Sequence, residues 1–120
     1  MNHKIMLIED DRTMISLLET LLSLEGFQVI TAKEEVFDTL LLSIVKEQPD
    51  AILLDVHLRQ GSGLDLLNAI RSTSSLDNVR VIMCSGMDYK QECLQNGAQG
   101  FIMKPYMPDD LIKMVAPSLN

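Results

Sequence analysis

Basic residues are scarce in this sequence. Ten lysines and arginines stand against seventeen aspartates and glutamates, a formal charge of −7 in 120 residues. Holding a polynucleotide by charge requires lysine and arginine on its phosphates, so direct nucleic-acid binding is not expected of this domain. Cysteine is limited to Cys84 and Cys93. No disulfide framework or zinc ligand set can be assembled from them. Cys84 lies inside an apolar run, as a small core residue would. Long hydrophobic runs are also missing. The apolar stretches are too short and too broken to span a bilayer. Met1-Asn2-His3-Lys4 leads into a strand-like run with no apolar segment of signal-peptide length. These absences suit a reducing cytosol, and a cytoplasmic protein with no membrane partner is expected. No repeat, low-complexity tract or linker breaks the chain. The rest is globular in composition, 47 % hydrophobic and 22 % charged. That is enough for a core and for one domain over residues 1–120.

The pattern alternates between two periods. Ile5-Met6-Leu7-Ile8 is a short apolar run that stops at Glu9-Asp10-Asp11, as a strand buried on both faces would. Met14, Leu17, Leu18 and Leu21 then recur at helical spacing, and Gly26 supplies a stop. Phe27 to Thr31 reads as a strand. Phe37, Leu40, Leu41 and Ile44 mark a helix that Pro49 ends. Ala51-Ile52-Leu53-Leu54 is a third strand and ends on Asp55. Ser62 is placed to cap a helix carrying Leu66, Leu67 and Ile70. Val79 to Cys84 and Gly100 to Met103 are the fourth and fifth strands, and a short helix lies between them over Tyr89 to Gln95. Pro108 opens a last helix carrying Leu111, Met114 and Val115. Five β-α repeats predict a three-layer, doubly wound α/β fold. Its five-stranded parallel sheet is expected in the flavodoxin-like order 2-1-3-4-5. Ligands in such sheets sit beyond the carboxyl ends of the strands, here where the order switches between the first and third.

The strand ends carry the chemistry. The first delivers Asp10 and Asp11, the third Asp55, the fourth Ser85 and the fifth Lys104. Three carboxylates close together repel unless a cation or proton intervenes. Mg²⁺ prefers oxygen ligands and keeps several of its waters, so it needs only one or two of them. One oxygen of Asp55 would then remain as a nucleophile, and aspartate is a covalent phosphoryl acceptor. Mg²⁺, Lys104 and the Ser85 hydroxyl could cover the phosphoryl oxygens, which is the main task in phosphoryl transfer.

At this point the sequence resembles the response-regulator receiver domains of two-component signalling. The matching segments are Leu7-Ile8-Glu9-Asp10-Asp11, Pro49 to Asp55, Gly61 to Leu66, Cys84-Ser85-Gly86, Gly97-Ala98 and Phe101 to Tyr106. They run almost end to end, in order. The resemblance implies a signalling switch in a phosphorelay, not a turnover enzyme, although the chain supplies its own catalytic groups. Asp55 would accept the phosphoryl group from a histidine kinase or phosphotransfer protein. Asp11 and Asp55 would bind Mg²⁺ directly with the backbone carbonyl of His57, and Asp10 through a water. Ser85 and Lys104 would contact the phosphoryl group. Phe101 would be the switch aromatic, turning inward on activation and changing a face read by a downstream protein or a fused output domain. Lys104-Pro105 would be cis. A dimer on phosphorylation stays open, though not in the winged-helix regulators' mode. Two departures stand out. Leu58-Arg59 replaces the family's frequent Met-Pro, which implies a looser loop, and His57 occupies a position where small or amide side chains are usual.

Each residue alone has a plainer reading. Asp10-Asp11 could be a solvated turn or helix cap, Ser85-Gly86 a turn, Lys104 a solvated lysine and Phe101 packing. Their joint occurrence at four strand ends reverses those odds. Among rival functions, a haloacid-dehalogenase-type phosphatase wants a second acid where His57 stands, and a cap domain. A pseudo-receiver has usually lost an acid or the lysine. A flavodoxin-like electron carrier wants hydroxyl and backbone donors where Glu9-Asp10-Asp11 stand.

Overall fold

The computed structural model describes residues 3–33, 36–59 and 61–118. Among the described residues, seven strands and five α-helices follow one another along the chain. They are β1 (Lys4–Ile8), α1 (Arg12–Leu24), β2 (Gln28–Thr31), α2 (Phe37–Glu47), β3 (Ala51–Asp55), β4 (His57–Leu58), β5 (Gly61–Ser62), α3 (Gly63–Arg71), β6 (Arg80–Ser85), α4 (Lys90–Gln95), β7 (Gly100–Met103) and α5 (Pro108–Ser118). A single 3₁₀ turn, Ser74–Leu76, precedes β6 within the polar stretch that follows α3.

Five strands form one parallel sheet in the order β2-β1-β3-β6-β7. With the small β4–β5 hairpin set aside, this is the expected 2-1-3-4-5 order. The period of two along each strand divides the core between the sheet's two faces. Met6, Ile8, Ile52, Leu54, Val81 and Met83 face one side, with Leu40 and Ile44 of α2, Leu66, Leu67 and Ile70 of α3, and Cys93 of α4. Ile5, Leu7, Leu53, Ile82 and Cys84 face the other, with Leu18 and Leu22 of α1 and Leu111 and Val115 of α5. Burial of one such leucine or isoleucine contributes about 1.5–3 kcal/mol. No helix among the described residues is long and apolar enough to cross a membrane.

Local chemistry sets the ends of the elements. Asp11 caps α1 by accepting from the Met14 amide, and Gly26 follows the helix at φ 93°. Gln48 ends α2 in the left-handed conformation just before Pro49. Ser62 caps α3 by accepting from the Leu64 amide at 3.2 Å. The extra hairpin pairs His57 with Ser62 and Leu58 with Gly61. Two-residue strands carry too short an alternation to read from sequence.

Candidate functional site

The carboxyl ends of β1, β3, β6 and β7 converge on one cluster, and Lys104 ties it together. Its ammonium lies 2.5 Å from Asp55 Oδ2 and 2.7 Å from Glu9 Oε1. Asp55 is the last residue of β3 and Lys104 the first after β7. A parallel sheet brings such residues together, because every strand ends on the same edge. The other Asp55 oxygen, Oδ1, accepts from the His57 amide at 3.1 Å. The Lys104 amide donates to the Ser85 carbonyl at 2.7 Å, which fixes the lysine's backbone against the end of β6. Lys104-Pro105 is cis, as the family resemblance implied.

Glu9 is the residue that sequence reasoning missed. It is the first residue past β1 and is buried, and its Oε2 accepts from the Asp10 and Asp11 amides at 2.8 and 3.3 Å. Asp11, expected as a direct metal ligand beside Asp55, takes another role. Its carboxylate is exposed and accepts from Met14 at 3.1 Å as the cap of α1. The inner position is thus displaced by one residue. The strand stops at Ile8, so the first acid after it turns into the cluster and the third turns toward the helix. The available signal was Glu9's place directly after a buried run. Asp10 stays at the rim, half-buried, and its Oδ2 accepts from the Arg59 amide at 3.1 Å.

Ser85 is 1 % exposed, and its hydroxyl oxygen accepts from the Met87 amide at 3.1 Å. His57 is exposed, and its ring meets Tyr89 edge-on, with centroids 5.5 Å apart at 69°. Phe101 is buried with the core on the α2–α4 side, so its ring already occupies an inward position. Among the described residues between β3 and α3, the hairpin pairs His57 with Ser62 and Leu58 with Gly61, and the Arg59 amide donates to Asp10, an N–H that a proline at 59 would lack. Gly63 permits the close approach beneath this loop. A Cβ there would stand 2.0 Å from the Asp55 carbonyl oxygen, and the Gly63 amide donates to the Val56 carbonyl at 2.6 Å.

Charge and burial oppose each other here. Burial lifts the Glu9 carboxyl above the ordinary carboxylate range, while the hydrogen bond and charge of Lys104 pull it back. Burial also works against the Lys104 ammonium, but Asp55 and Glu9 outweigh it and hold the lysine charged well above its ordinary range. A carboxylate oxygen of Glu9, one of Asp55 and the Cys84 sulfur lie within 4.8 Å of one another. Burial pushes the Cys84 thiol far up, which leaves it protonated and a poor ligand. The remaining oxygen donors suit a hard divalent cation such as Mg²⁺, and one lysine is a thin counter-charge for the acids gathered here.

A model of the response regulator receiver domain matches residues 5–116. The transcriptional regulatory protein CpxR of Escherichia coli K12 is 32 % identical over 119 residues, covering 98 % of this chain and 50 % of its own length. The chemotaxis protein CheY of Bacillus subtilis is 27 % identical over 123 residues, with both chains fully covered. The chain spans about half the length of the first curated relatives it matches. Among solved structures, a putative response regulator from Chloroflexus aurantiacus superposes with a TM-score of 0.89 at 27 % identity, over 99 % of this chain and 98 % of the other. The N-terminal domain of the nisin resistance regulator NsrR superposes at 0.85 with 28 % identity over all of both chains.

Proposed function

The chain belongs to the response regulator receiver family of two-component signalling, and from that premise we propose that it relays a signal by accepting a phosphoryl group on Asp55. The observation that carries this reading is the Lys104 ammonium held on Asp55 Oδ2 at the end of the sheet. In the transfer, an Asp55 carboxylate oxygen attacks the phosphorus of a phosphohistidine donor. The O–P bond forms as the P–N bond breaks, and the imidazole nitrogen leaves with its electron pair and takes up a proton. Lys104 moves from the carboxylate to a phosphoryl oxygen, and Ser85 turns its hydroxyl proton to another. Asp10 and Asp55, with the His57 carbonyl, are the proposed direct ligands of Mg²⁺, and Glu9 acts through bound water. Asp11 caps α1. Bound there, Mg²⁺ supplies neutralising charge to the transferring group.

Residues 1–120 then act as one receiver domain. A histidine kinase or phosphotransfer protein is the donor, and a downstream protein or a fused output domain is the target. Phosphorylation biases a two-state equilibrium, with Phe101 held inward and the face around β7 and α4 presented to the target. Among the described residues, large exposed apolar side chains on that face include Leu94, Met103 and Met107. The scarcity of basic residues favours protein partners over nucleic acid for this domain. The test is intact mass after incubation with acetyl phosphate and Mg²⁺, beside Asp55→Asn. Gain of one phosphoryl group by the wild type alone is expected. No gain by a folded wild type sinks the proposal and leaves a constitutive binding module.

A further inference from the structure

Tyr106 stands two residues after Lys104 and is 8 % exposed. Its hydroxyl is buried and has no hydrogen-bond partner among the described residues. Buried hydroxyls are rarely left so, and each instance calls for a physical reason. Tyr106 lines a cavity of about 250 Å³ together with Glu9, Asp11, Met14, Lys104 and Pro105. Burial raises its phenol above the ordinary range, and Glu9, Lys104 and Asp55 all lie close enough for their charges to act on it. The hydroxyl is a spare donor on a residue that lines the same cavity as Glu9 and Lys104.

Glu9 is the acceptor that will need one. Its side chain is 2 % exposed, and Oε1 has the Lys104 ammonium at 2.7 Å with no hydrogen-bond donor besides it among the described residues. The same ammonium serves Asp55 at 2.5 Å. One ammonium cannot stay on both carboxylates and also follow a phosphoryl group built onto Asp55. When Lys104 moves, Glu9 Oε1 is left as a buried anionic oxygen without a counter-charge, which is costly. We propose that Tyr106 is a positioning residue. Its hydroxyl donates to the Glu9 carboxylate in the phosphorylated state, and so releases Lys104 to the phosphoryl group. Among the described residues the hydroxyl has no acceptor at rest, since Glu9 Oε1 is then held by the lysine. This inference rests on the proposed phosphorylation of Asp55.

The test is Tyr106→Phe, which keeps the ring and removes only the donor. At rest it should melt at the wild-type temperature or higher, since no hydrogen bond is lost. Titrated calorimetrically with beryllofluoride, a phosphoryl analogue, in saturating Mg²⁺, it should bind about tenfold or more weakly, as expected for loss of a hydrogen bond to a charged group formed only in that state. A Glu9→Gln background should abolish most of the difference, because the two residues act on one contact, whereas a packing role for Tyr106 would leave it intact. Equal beryllofluoride affinity in wild type and Tyr106→Phe overturns the inference while Asp55 phosphorylation stands. A lower resting melting temperature with unchanged relative affinity also overturns it, since the hydroxyl then works at rest. A wild type that binds no beryllofluoride and gains no phosphoryl mass brings down both readings.

Discussion

Gly63 is where the fold and the site press hardest on one another. It is the first residue of α3, and its missing side chain lets the helix start directly over the end of β3. An alanine Cβ there would lie 2.0 Å from the Asp55 carbonyl oxygen, 2.9 Å from the Asp55 carbonyl carbon and 2.9 Å from the Val56 Cα. All three are backbone atoms, so no rotamer change can relieve the contact. Either α3 retreats or the end of β3 does, and both break the 2.6 Å hydrogen bond from the Gly63 amide to Val56. Overpacking of this kind costs about 1–3 kcal/mol, occasionally more. The lost hydrogen bond adds about 1 kcal/mol. Reduced freedom of the unfolded chain returns about 0.4–1 kcal/mol. The net for Gly63→Ala is about 2 kcal/mol. At the usual unfolding entropy for a domain of this size, that lowers the melting temperature by about 8 °C. Urea denaturation of Gly63→Ala beside Gly86→Ala measures it, because Gly86 has no atom within 4 Å of an added Cβ and should change by less than about 0.5 kcal/mol. The Asp55 carboxylate is attached to the displaced backbone, so on the proposed function acetyl phosphate labelling should fall as well. A Gly63→Ala protein as stable as Gly86→Ala would refute the steric reasoning.

Other perturbations act on charge and access. Lys104→Met leaves Glu9 and Asp55 facing each other without their cation, so its stability in EDTA should fall by about 1–3 kcal/mol and largely return with millimolar Mg²⁺; urea curves that coincide with and without the ion would contradict this. Because burial raises the folded-state Glu9 above its unfolded value of 4.5, the native form binds more protons just above that pH, and stability should decline as pH rises through the window. Glu9→Gln should lack that decline in pH-resolved thermal melts. Arg59→Pro removes the amide that holds Asp10 Oδ2 and should weaken Mg²⁺ binding about tenfold by calorimetry, as losses of outer contacts to metal ligands do. Cys84 and Cys93 are fully buried, and burial pushes the Cys93 thiol up to about 11, so native protein should react with a thiol reagent only as fast as it opens.

Most of the fold was legible because its signals are strong and redundant. Each parallel strand is a short apolar run, buried along nearly its whole length in β1, β3 and β6, and each is bounded by polar or turn residues. The site followed at one remove, since any residue at a strand's carboxyl end must reach the same edge. Asp55, Ser85 and Lys104 were therefore placed without side-chain geometry. The error at β1 came from the same logic applied one residue late. Three acids in a row share one composition, and only the strand's last residue decides which turns inward. Ile8 ends β1, so Glu9 is the buried acid and Asp11 the cap. The β4–β5 hairpin was illegible for a different reason. It is held by backbone pairing and by Gly61 at φ 144°, and its side chains carry no pattern.

Every carboxylate in the cluster already has a donor: Lys104 on Asp55 and Glu9, backbone amides on Glu9 Oε2 and Asp55 Oδ1, and the Arg59 amide on Asp10. Such an arrangement stabilises the resting site, because each charge that moves must leave a satisfied partner. On the proposed function, a phosphoryl group would have to reorganise the whole set and could not simply occupy a gap. That requirement couples Asp55 to the β3–α3 loop through Asp10 and Arg59, and to the segment after β7 through Lys104. Both segments lie at the surface, where a partner can read them. A change confined to one oxygen of Asp55 would have no such reach. On the proposed function, the signal would travel because a single ammonium is shared between two buried acids and cannot serve a third group without releasing one of them.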